Sequence, residues 1–549
     1  MFRAFYQEVK RAAGTDDRFL RESEHADLAC TVAFKLAKEK RKKPQEVAEE
    51  LIEDFEITGD YIGRIEIENG YINFFASQEF FEDTVSSILD EDYRYGGLKL
   101  GGEVLVEHTS ANPDGPLHVG HIRNSIIGDT LVRVLRKAGM NVKAQYYVND
   151  MGRQSAMAVL GVRRYGLGNG KPDHEVAKAY IKINADAERD NAIDDEVEKL
   201  MILYEKGDEG AIRIFREVME KALEGVRETL EELNVEHDEY IWESEFVRNG
   251  YVDRILKMLE ERELLERDDV FRVDMGKFGY EKDVILRREN GTTLYITRDL
   301  AYHLWKNENY ERFINVLGSD HKLIANQLSD LLNALDLKPP EIVFFEFVSL
   351  PEGSMSTRKG KFISADELIQ KTYQEARKLI EDRDFSEEEK NKVAKAVATG
   401  ALRFDFVRVS PEKPMTFDWK KALDFERQTA SYIQYTHARA CSIMRKAVEA
   451  GYADLDFRYE LMDDVERELL ILLSKFSFNV EKVAESLRPN ILAEYVLDIA
   501  EKFNDFYHRN PVITEDSELR MHRLAVVDAA RIALRNGLEL LGIEALERM

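Results

Sequence analysis

The chain has 549 residues, 44% of them hydrophobic and 33% charged, with a formal net charge of −27. That length predicts roughly three or four domains of about 150 residues each, and 11 prolines and 31 glycines exclude the collagen-like and disordered classes. Two cysteines, Cys30 and Cys441, cannot supply a disulfide framework or a four-thiolate zinc site, and the acidic surplus argues against indiscriminate binding of polyanions while leaving local basic patches open.

Met1–Lys10 lacks the apolar run of a signal peptide, and no later apolar stretch reaches the roughly 20 residues that span a bilayer. A cytoplasmic protein with no membrane partner is expected. From Phe2 to about Leu98 helical periodicity gives way to alternation over Tyr61–Phe75, where Asn69-Gly70 signals a hairpin, so residues 1–98 predict a small α+β domain. Its basic run Lys35–Lys43 (KLAKEKRKK) reads either as a solvated helix face or as a contact for a phosphate backbone.

Glu103–Glu107 (EVLVE) reads as a buried strand, followed by a Pro/Gly-rich loop, a helix over about His121–Lys137 and a strand over Asn141–Tyr147. Such a βαβ unit belongs in a parallel sheet with its site at the strand ends. The acidic, helical stretch around Asp173–Glu232 predicts an insertion packed on the sheet. Further strands are expected at Val284–Arg288, Thr293–Thr297, Phe313–Leu317 and Ile342–Phe347, and from about Ala422 to Met549 helical spacing predicts a separate bundle.

His118-Val119-Gly120-His121 sits between the first strand of this unit and its helix. Two imidazoles at a helix start can donate hydrogen bonds to phosphate oxygens where the helix dipole favours negative charge, and Gly120 removes a side chain that would block a nucleotide. Alone, such a pair also fits metal ligands or core histidines. Gly353–Lys361 (GSMSTRKGK) offers hydroxyl and basic groups suited to β- and γ-phosphates, or simply a solvated loop. No GxxxxGK[ST] segment is present, and Gly166–Lys171 lacks that spacing, so a P-loop mechanism is unsupported.

With these surroundings the chain resembles the class I aminoacyl-tRNA synthetases, and specifically the arginyl-tRNA synthetase family of archaeal and eukaryotic type. His118–His121 is similar to the class I HIGH signature and Met355-Ser356 with its flanks to KMSKS. Glu107–Asn124 (EHTSANPDGPLHVGHIRN), Lys282–His303 (KDVILRRENGTTLYITRDLAYH), Tyr432–Ile443 (YIQYTHARACSI) and Asn536–Met549 (NGLELLGIEALERM) match the arginyl family in order, so the resemblance covers essentially the whole chain.

The resemblance implies an α/β Rossmann-type class I catalytic domain over 99–421 with a helical insertion at about 160–245, an N-terminal α+β domain over 1–98 contacting the tRNA elbow, and a C-terminal all-α, DALR-like anticodon-binding domain over 422–549. It implies an arginine–tRNA ligase: ATP with Mg2+ converts L-arginine to arginyl-adenylate, releasing pyrophosphate, and the 3′ end of tRNA(Arg) takes the arginyl group, releasing AMP. The family generally needs tRNA bound before the first step. No protein-ligated structural metal is expected, and the chain is expected to act as a monomer.

A guanidinium wants planar carboxylates plus a hydroxyl for its five donors. By resemblance Asp299 and Tyr295 face the guanidinium, with Glu243 a further candidate. Glu107 and Asn112 would orient the arginine or hold its α-amino group, and His321 would touch that group or the ribose. As ordinary residues Asp299 is a helix cap, Glu107 an exposed strand end and Tyr295 core. The implied catalytic set is His118, Gly120, His121, Met355, Ser356, Arg358 and Lys359. Ser354 and Thr357 stand where KMSKS has lysines, which leaves Arg358, Lys359 or Lys361 to grip the phosphates; Asp114 stands where some relatives carry a compensating lysine. For tRNA, Tyr435 and Arg439 share a helix face that offers stacking and phosphate binding together, while His437 points elsewhere and buried packing competes for the tyrosine. Two rivals remain at this level. A synthetase for an apolar amino acid would leave Asp299 and Tyr295 unpaired, and a noncatalytic tRNA-binding paralogue would not need His118, Gly120 and His121.

Overall fold

The N-terminal segment runs α1 (Phe2–Ala12), β1 (Leu20–Arg21), β2 (Leu28–Cys30), α2 (Val32–Lys40), α3 (Pro44–Glu53), β3 (Ile62–Glu68), β4 (Tyr71–Ala76) and α4 (Gln78–Glu91) in a computed structural model that describes residues 1–23, 25–350, 363–425 and 428–549. Asn69 and Gly70 lie at φ 53° and 88°, the left-handed values that a two-residue hairpin turn requires, and they join β3 to β4. The sheet is antiparallel, in the order β1-β2-β4-β3, and buries Ile72 and Phe74.

The next segment begins β5 (Glu103–Glu107), α5 (Val119–Lys137) and β6 (Asn141–Val148). Four helices follow: α6 (Arg153–Tyr165), α7 (Pro172–Ala187), α8 (Ala192–Glu205) and α9 (Glu209–Glu232). Then come β7 (Glu239–Trp242), α10 (Glu243–Arg248), α11 (Tyr251–Glu261), β8 (Leu265–Arg267), β9 (Phe271–Val273), β10 (Val284–Arg287), α12 (Tyr295–Asn309), β11 (Arg312–Gly318), α13 (Lys322–Ala334), β12 (Glu341–Phe345) and β13 (Val348–Ser349). The segment ends with α14 (Ala365–Leu379), α15 (Glu387–Arg408), β14 (Met415–Thr416) and α16 (Trp419–Ala422).

Five strands pair in parallel in the order β12-β11-β5-β6-β7, so the winding direction reverses at β5. A crevice opens outside the carboxyl ends of β5 and β11 at such a reversal, which is where α/β sheets bind ligands. Two elements differ from the sequence reading. Thr293–Thr297, expected as a strand, contributes only an isolated bridge at Thr293 before α12 begins at Tyr295; Thr297 caps its β-branched side chain by donating to the Leu286 carbonyl at 2.7 Å, and packing overrides strand propensity. Val284–Arg287 joins a separate antiparallel sheet, β10-β9-β8, while β7 completes the parallel sheet from residues first assigned to the insertion.

Every residue of α5 from Ile122 to Val132 is buried, including five with polar side chains, of which Arg123, Asn124 and Asp129 are matched by other elements. Arg123 donates to the carbonyls of Glu346 (2.6 Å), Lys413 (3.0 Å) and Ser410 (3.2 Å). Asn124 accepts from Thr109 N–H (2.7 Å) and donates to the Val316 carbonyl (2.9 Å), tying the helix to the ends of β5 and β11. Asp129 forms ion pairs with Arg133 and with the fully buried Arg403 of α15.

The C-terminal helices are α17 (Ala430–Glu449), α18 (Asp464–Ser474), α19 (Phe476–Ser486), α20 (Asn490–Arg509) and α21 (Ser517–Leu540). Met1–Lys99 forms one compact unit with Asp424–Ser486 and Ile491–Met549; Leu100–Leu423 with Leu487–Asn490 forms the other. The first unit therefore joins segments that the sequence reading treated as separate domains. Phe2 meets Phe478 edge-on at 5.5 Å, the Tyr95 hydroxyl donates to the Leu473 carbonyl at 2.8 Å, and Arg535 pairs with Asp92 at 2.6 Å. Among the described residues no helix is long and apolar enough to cross a membrane.

Removing one partner of a buried ion pair strands the other charge, at a cost of about 3–5 kcal/mol. Asp129→Ala is expected to destabilise the α5-containing unit by that amount in urea unfolding, and a loss under 1 kcal/mol would show that Arg403 finds compensation elsewhere.

Candidate active site

His118 is the N-cap of α5, and its Nδ1 accepts hydrogen bonds from the Gly120 and His121 amides at 3.0 and 3.3 Å. His121 Nδ1 accepts in turn from the His118 amide at 3.2 Å, so two histidines make a reciprocal capping box. Their rings stack with centroids 3.6 Å apart. Burial holds both imidazoles below the ordinary histidine range, His121 further through the neighbouring His118. With Nδ1 an acceptor on each neutral ring, the proton sits on Nε2, which becomes a donor beside the positive end of the helix dipole. A Cβ on Gly120 would stand 2.9 Å from His118 Cε1, so this glycine makes room for the capping imidazole itself, a nearer requirement than clearance for a nucleotide.

Thr109 and Ser110, at φ 68° and 41°, take the left-handed conformation straight after β5. Non-glycine residues adopt it only when surroundings enforce it, and here Asn124 and Ser125 hold Thr109 while Ser110 Oγ accepts from the Tyr147 amide at 3.1 Å. This turn carries the chain from Glu107 to Asn112, whose Nδ2 donates to Gln154 Oε1 at 3.0 Å.

Outside β5 and β11 lies a pocket of about 80 Å3 lined by residues that include Glu107, Asp299, His303, Asn315 and His321. Two carboxylates, Glu107 and Asp299, line it, and a third, Glu243, acts on Asp299 from nearby; Glu107 and Glu243 are compensated. Glu243 pairs with Arg298 at 2.8 Å, both buried; burial still pushes the Glu243 carboxyl up to about 7 against that guanidinium. Glu107 pairs at 2.6 Å with Lys306, a fully buried lysine that also donates to Asn315 Oδ1 at 2.9 Å and lies 4.0 Å over the Tyr302 ring. Asp299 has no hydrogen-bond or ion-pair partner for its carboxylate among the described residues. Burial, then the negative charges of Glu243 and Glu107, push its carboxyl up to about 8. Tyr295 stands one helical turn before Asp299 and is exposed.

Sequence reasoning named Glu107, Glu243, Tyr295, Asp299 and His321 but missed their supports. Arg298 and Lys306 are charged residues on a helix, and only a tertiary partner reveals that they are buried. Glu205 of α8 is another: its Oε1 accepts from the Thr293 amide and hydroxyl at 2.7 and 2.6 Å, bracing the start of α12. His321 lies in a short turn before α13 with its side chain 57% exposed, at the rim of the pocket. Asp114 is half-buried, and burial pushes its carboxyl up to about 6, so that position adds no cation beside His118. Met355, Ser356, Arg358 and Lys359, with Ser354, Thr357 and Lys361, lie outside the described residues.

Residues 84–419 match the class I (R) tRNA synthetase catalytic domain, 433–549 the DALR anticodon binding domain and 7–76 the arginyl tRNA synthetase N-terminal domain. The arginine–tRNA ligase of Archaeoglobus fulgidus is 63% identical over 100% of both chains, and that of Methanothrix thermoacetophila 49% identical over 96% of this chain and 94% of its own. The fold superposes on Thermus thermophilus arginyl-tRNA synthetase with a TM-score of 0.83 at 29% identity, covering 100% of both chains. The chain belongs to the arginyl-tRNA synthetase family.

For a member of that family the RNA-facing candidates fall out differently. Arg439 of α17 stacks over Tyr435 at 4.9 Å and Tyr507 at 5.0 Å, leaving an aromatic–guanidinium cluster. His437 is buried, and its Nδ1 pairs with the Leu546 carbonyl at 2.9 Å, so its side chain serves packing and does not reach an RNA. In the N-terminal segment Lys40 and Lys42 pair with Glu50, while Arg18, Arg21, Lys35 and Lys38 border a surface groove of about 720 Å3 with Phe34 and Tyr71.

The Asp299 carboxyl keeps its proton up to about pH 8 in the folded chain, whereas an unfolded aspartate loses it near pH 4. Between those values the folded state binds the extra proton, and stability falls as pH rises through the window. Asp299→Asn is expected to raise the melting midpoint of the arginine-free protein at pH 8.5 by about 1–3 °C and by a clearly smaller amount at pH 5, near the start of the window. A midpoint equally shifted at both pH values would mean that the ionised carboxylate is not the source of the strain.

Proposed function

We propose that the pocket at the ends of β5 and β11 receives the arginine side chain of an arginine–tRNA ligase, with Asp299 as the carboxylate that pairs with its guanidinium. The observation that carries this reading is the charge balance: Arg298 and Lys306 already compensate Glu243 and Glu107, and Asp299 is the carboxylate left over. A half-buried carboxyl that gives up its proton when a planar cation arrives is complementary to that cation. Tyr295, on the same helix face, supports a hydroxyl contact, and Glu107, Asn112 and His321 supply polar groups for the α-amino end.

The arginine carboxylate attacks the α-phosphorus of ATP, the bond to the bridging oxygen breaks, and pyrophosphate leaves. His118 and His121 donate from Nε2 to α-phosphate oxygens as charge grows there. Mg2+ enters on the ATP phosphates as part of that substrate. A hydroxyl of the tRNA terminal ribose then attacks the arginyl carbonyl, and AMP departs. The N-terminal groove at Arg18, Arg21, Lys35 and Lys38 suits the tRNA elbow, and the Tyr435–Arg439–Tyr507 cluster suits anticodon bases.

Arginine-dependent exchange of pyrophosphate into ATP, run with and without tRNA, tests the reading. Asp299→Ala is expected to raise the arginine KM by about 10–100-fold and leave the ATP KM within about twofold; unchanged arginine kinetics would remove Asp299 from the guanidinium site. For the groove, Lys35→Ala with Lys38→Ala is expected to raise the tRNA KM and flatten its salt dependence by about one unit of slope per lysine, with arginine and ATP constants unaltered. Equal tRNA constants at all salt concentrations would place the elbow elsewhere.

A further inference from the structure

The first turn of α14 connects the HVGH segment with the helical insertion. On one side the Ala365 amide donates to the Leu117 carbonyl at 2.7 Å and Ser364 pairs with His118 in an antiparallel bridge. Ser364 caps α14 by accepting from the Glu367 amide at 3.1 Å, and Glu367 closes the box on the Ser364 amide at 3.1 Å. The backbone of His118 is thus held by the N-terminus of a second helix as well as by its own.

On the other side stands Asp366. Its Oδ1 accepts from Lys171 Nζ at 2.6 Å and from the Thr229 hydroxyl at 2.9 Å, and its Oδ2 lies 2.6 Å from His174 Nε2. Lys171 and His174 open α7, and Thr229 belongs to α9. Asp173, also in the first turn of α7, is buried and lies 3.5 Å from Lys171 Nζ. A Cβ on Gly225 would stand 2.2 Å from Asp173 Oδ1, so α9 reaches this cluster only because that position is glycine. The hydrogen bonds from Lys171 and His174 hold the Asp366 carboxyl below the usual range although burial opposes it. Lys171 supplies the cation between the two aspartates, which accounts for the cluster without a metal ion.

We propose that Asp366 is a positioning residue for adenylation: by anchoring the first turn of α14 to Lys171, His174 and Thr229 of the insertion, it fixes the backbone of His118 and so the imidazole that faces the α-phosphate. The proposal rests on the assignment of His118 to the nucleotide. Three hydrogen-bonding groups from two helices converge on one turn, and that turn has backbone pairing to the residue that must be held. Positioning of reacting groups is sensitive to displacements of about 1 Å, so loosening this anchor acts on the rate rather than on the side-chain pocket of arginine.

Asp366→Ala is expected to lower kcat for arginine-dependent pyrophosphate exchange about tenfold, with the arginine KM within twofold. Lys171→Met and His174→Gln are expected to give smaller losses in the same direction, and Asp366→Asn, which keeps an acceptor for Thr229 and Lys171, a partial one. Non-additivity decides between positioning and general damage: in a His118→Ala background Asp366→Ala should cost less than twofold, because the group it positions is gone. The same tenfold cost in that background, or a loss appearing as a raised arginine KM, overturns the proposal. Full exchange by His118→Ala alone overturns the nucleotide assignment, which separates the two failures. The melting midpoint of Asp366→Ala within about 2 °C of the parent shows that the variant folds; a larger drop shifts the test to Asp366→Asn, judged by the same cycle.

Discussion

Helix α12 carries Arg298, Asp299 and Lys306 into a region of low dielectric, and a buried charge survives there only with a partner or by giving up its ionisation. Arg298 neutralises Glu243 and Lys306 neutralises Glu107, so the helix matches two acids from other elements and offers one of its own. A pocket with three free carboxylates would keep them protonated; one with none would have no affinity for a cation. The difference of one is what the proposed guanidinium site rests on. The stack of Tyr147 on Tyr302, with centroids 4.4 Å apart, supports the buried lysine from below, and the Tyr302 hydroxyl is itself held by Gln145 at 2.9 Å.

The same economy of donors and acceptors explains why histidine caps α5. A serine or aspartate at His118 would satisfy the orphan amides of the first turn equally well. Serine, however, has no second group to turn outward, and aspartate would set a negative charge against phosphates. Imidazole uses Nδ1 as the cap acceptor and carries its proton on Nε2, so on the proposed reading one ring completes the helix and serves the site. Gly120 belongs to this arrangement because any side chain there collides with the capping ring.

Legibility followed the range of the interaction. Asn69-Gly70, EVLVE and the α5 helix are local signals, and the structure forms them where the sequence indicated. Tyr295 and Asp299 were readable as guanidinium candidates through resemblance even though the segment Thr293–Thr297 looked like a strand. The partners that make Asp299 distinctive were not readable. Nothing in the spacing of Lys306 shows that it is wholly buried beside Glu107, some 199 positions away, and a left-handed Thr109 contradicts the preference of its residue type. The strand at Glu239–Trp242 was hidden because its burial pattern lacks alternation and it abuts the acidic helices.

Those helices are more than an appendage on the sheet. Tyr204 of α8 bonds to Asp150, Glu205 fixes Thr293 ahead of α12, and Lys171, His174 and Thr229 hold the start of α14. One insertion therefore supports the helix that presents Asp299 and the helix turn that pairs with His118. On the proposed reading, a support touching both holds the carboxylate assigned to the arginine and the imidazole assigned to the phosphate in one relation. In-line attack requires that relation, since the nucleophilic oxygen and the α-phosphorus belong to two substrates held by different elements. Acidic composition follows from the same role: the outer faces of these helices remain in solvent, and only the few residues at their ends, Lys171, Asp173, His174 and Glu205 among them, are committed to the site.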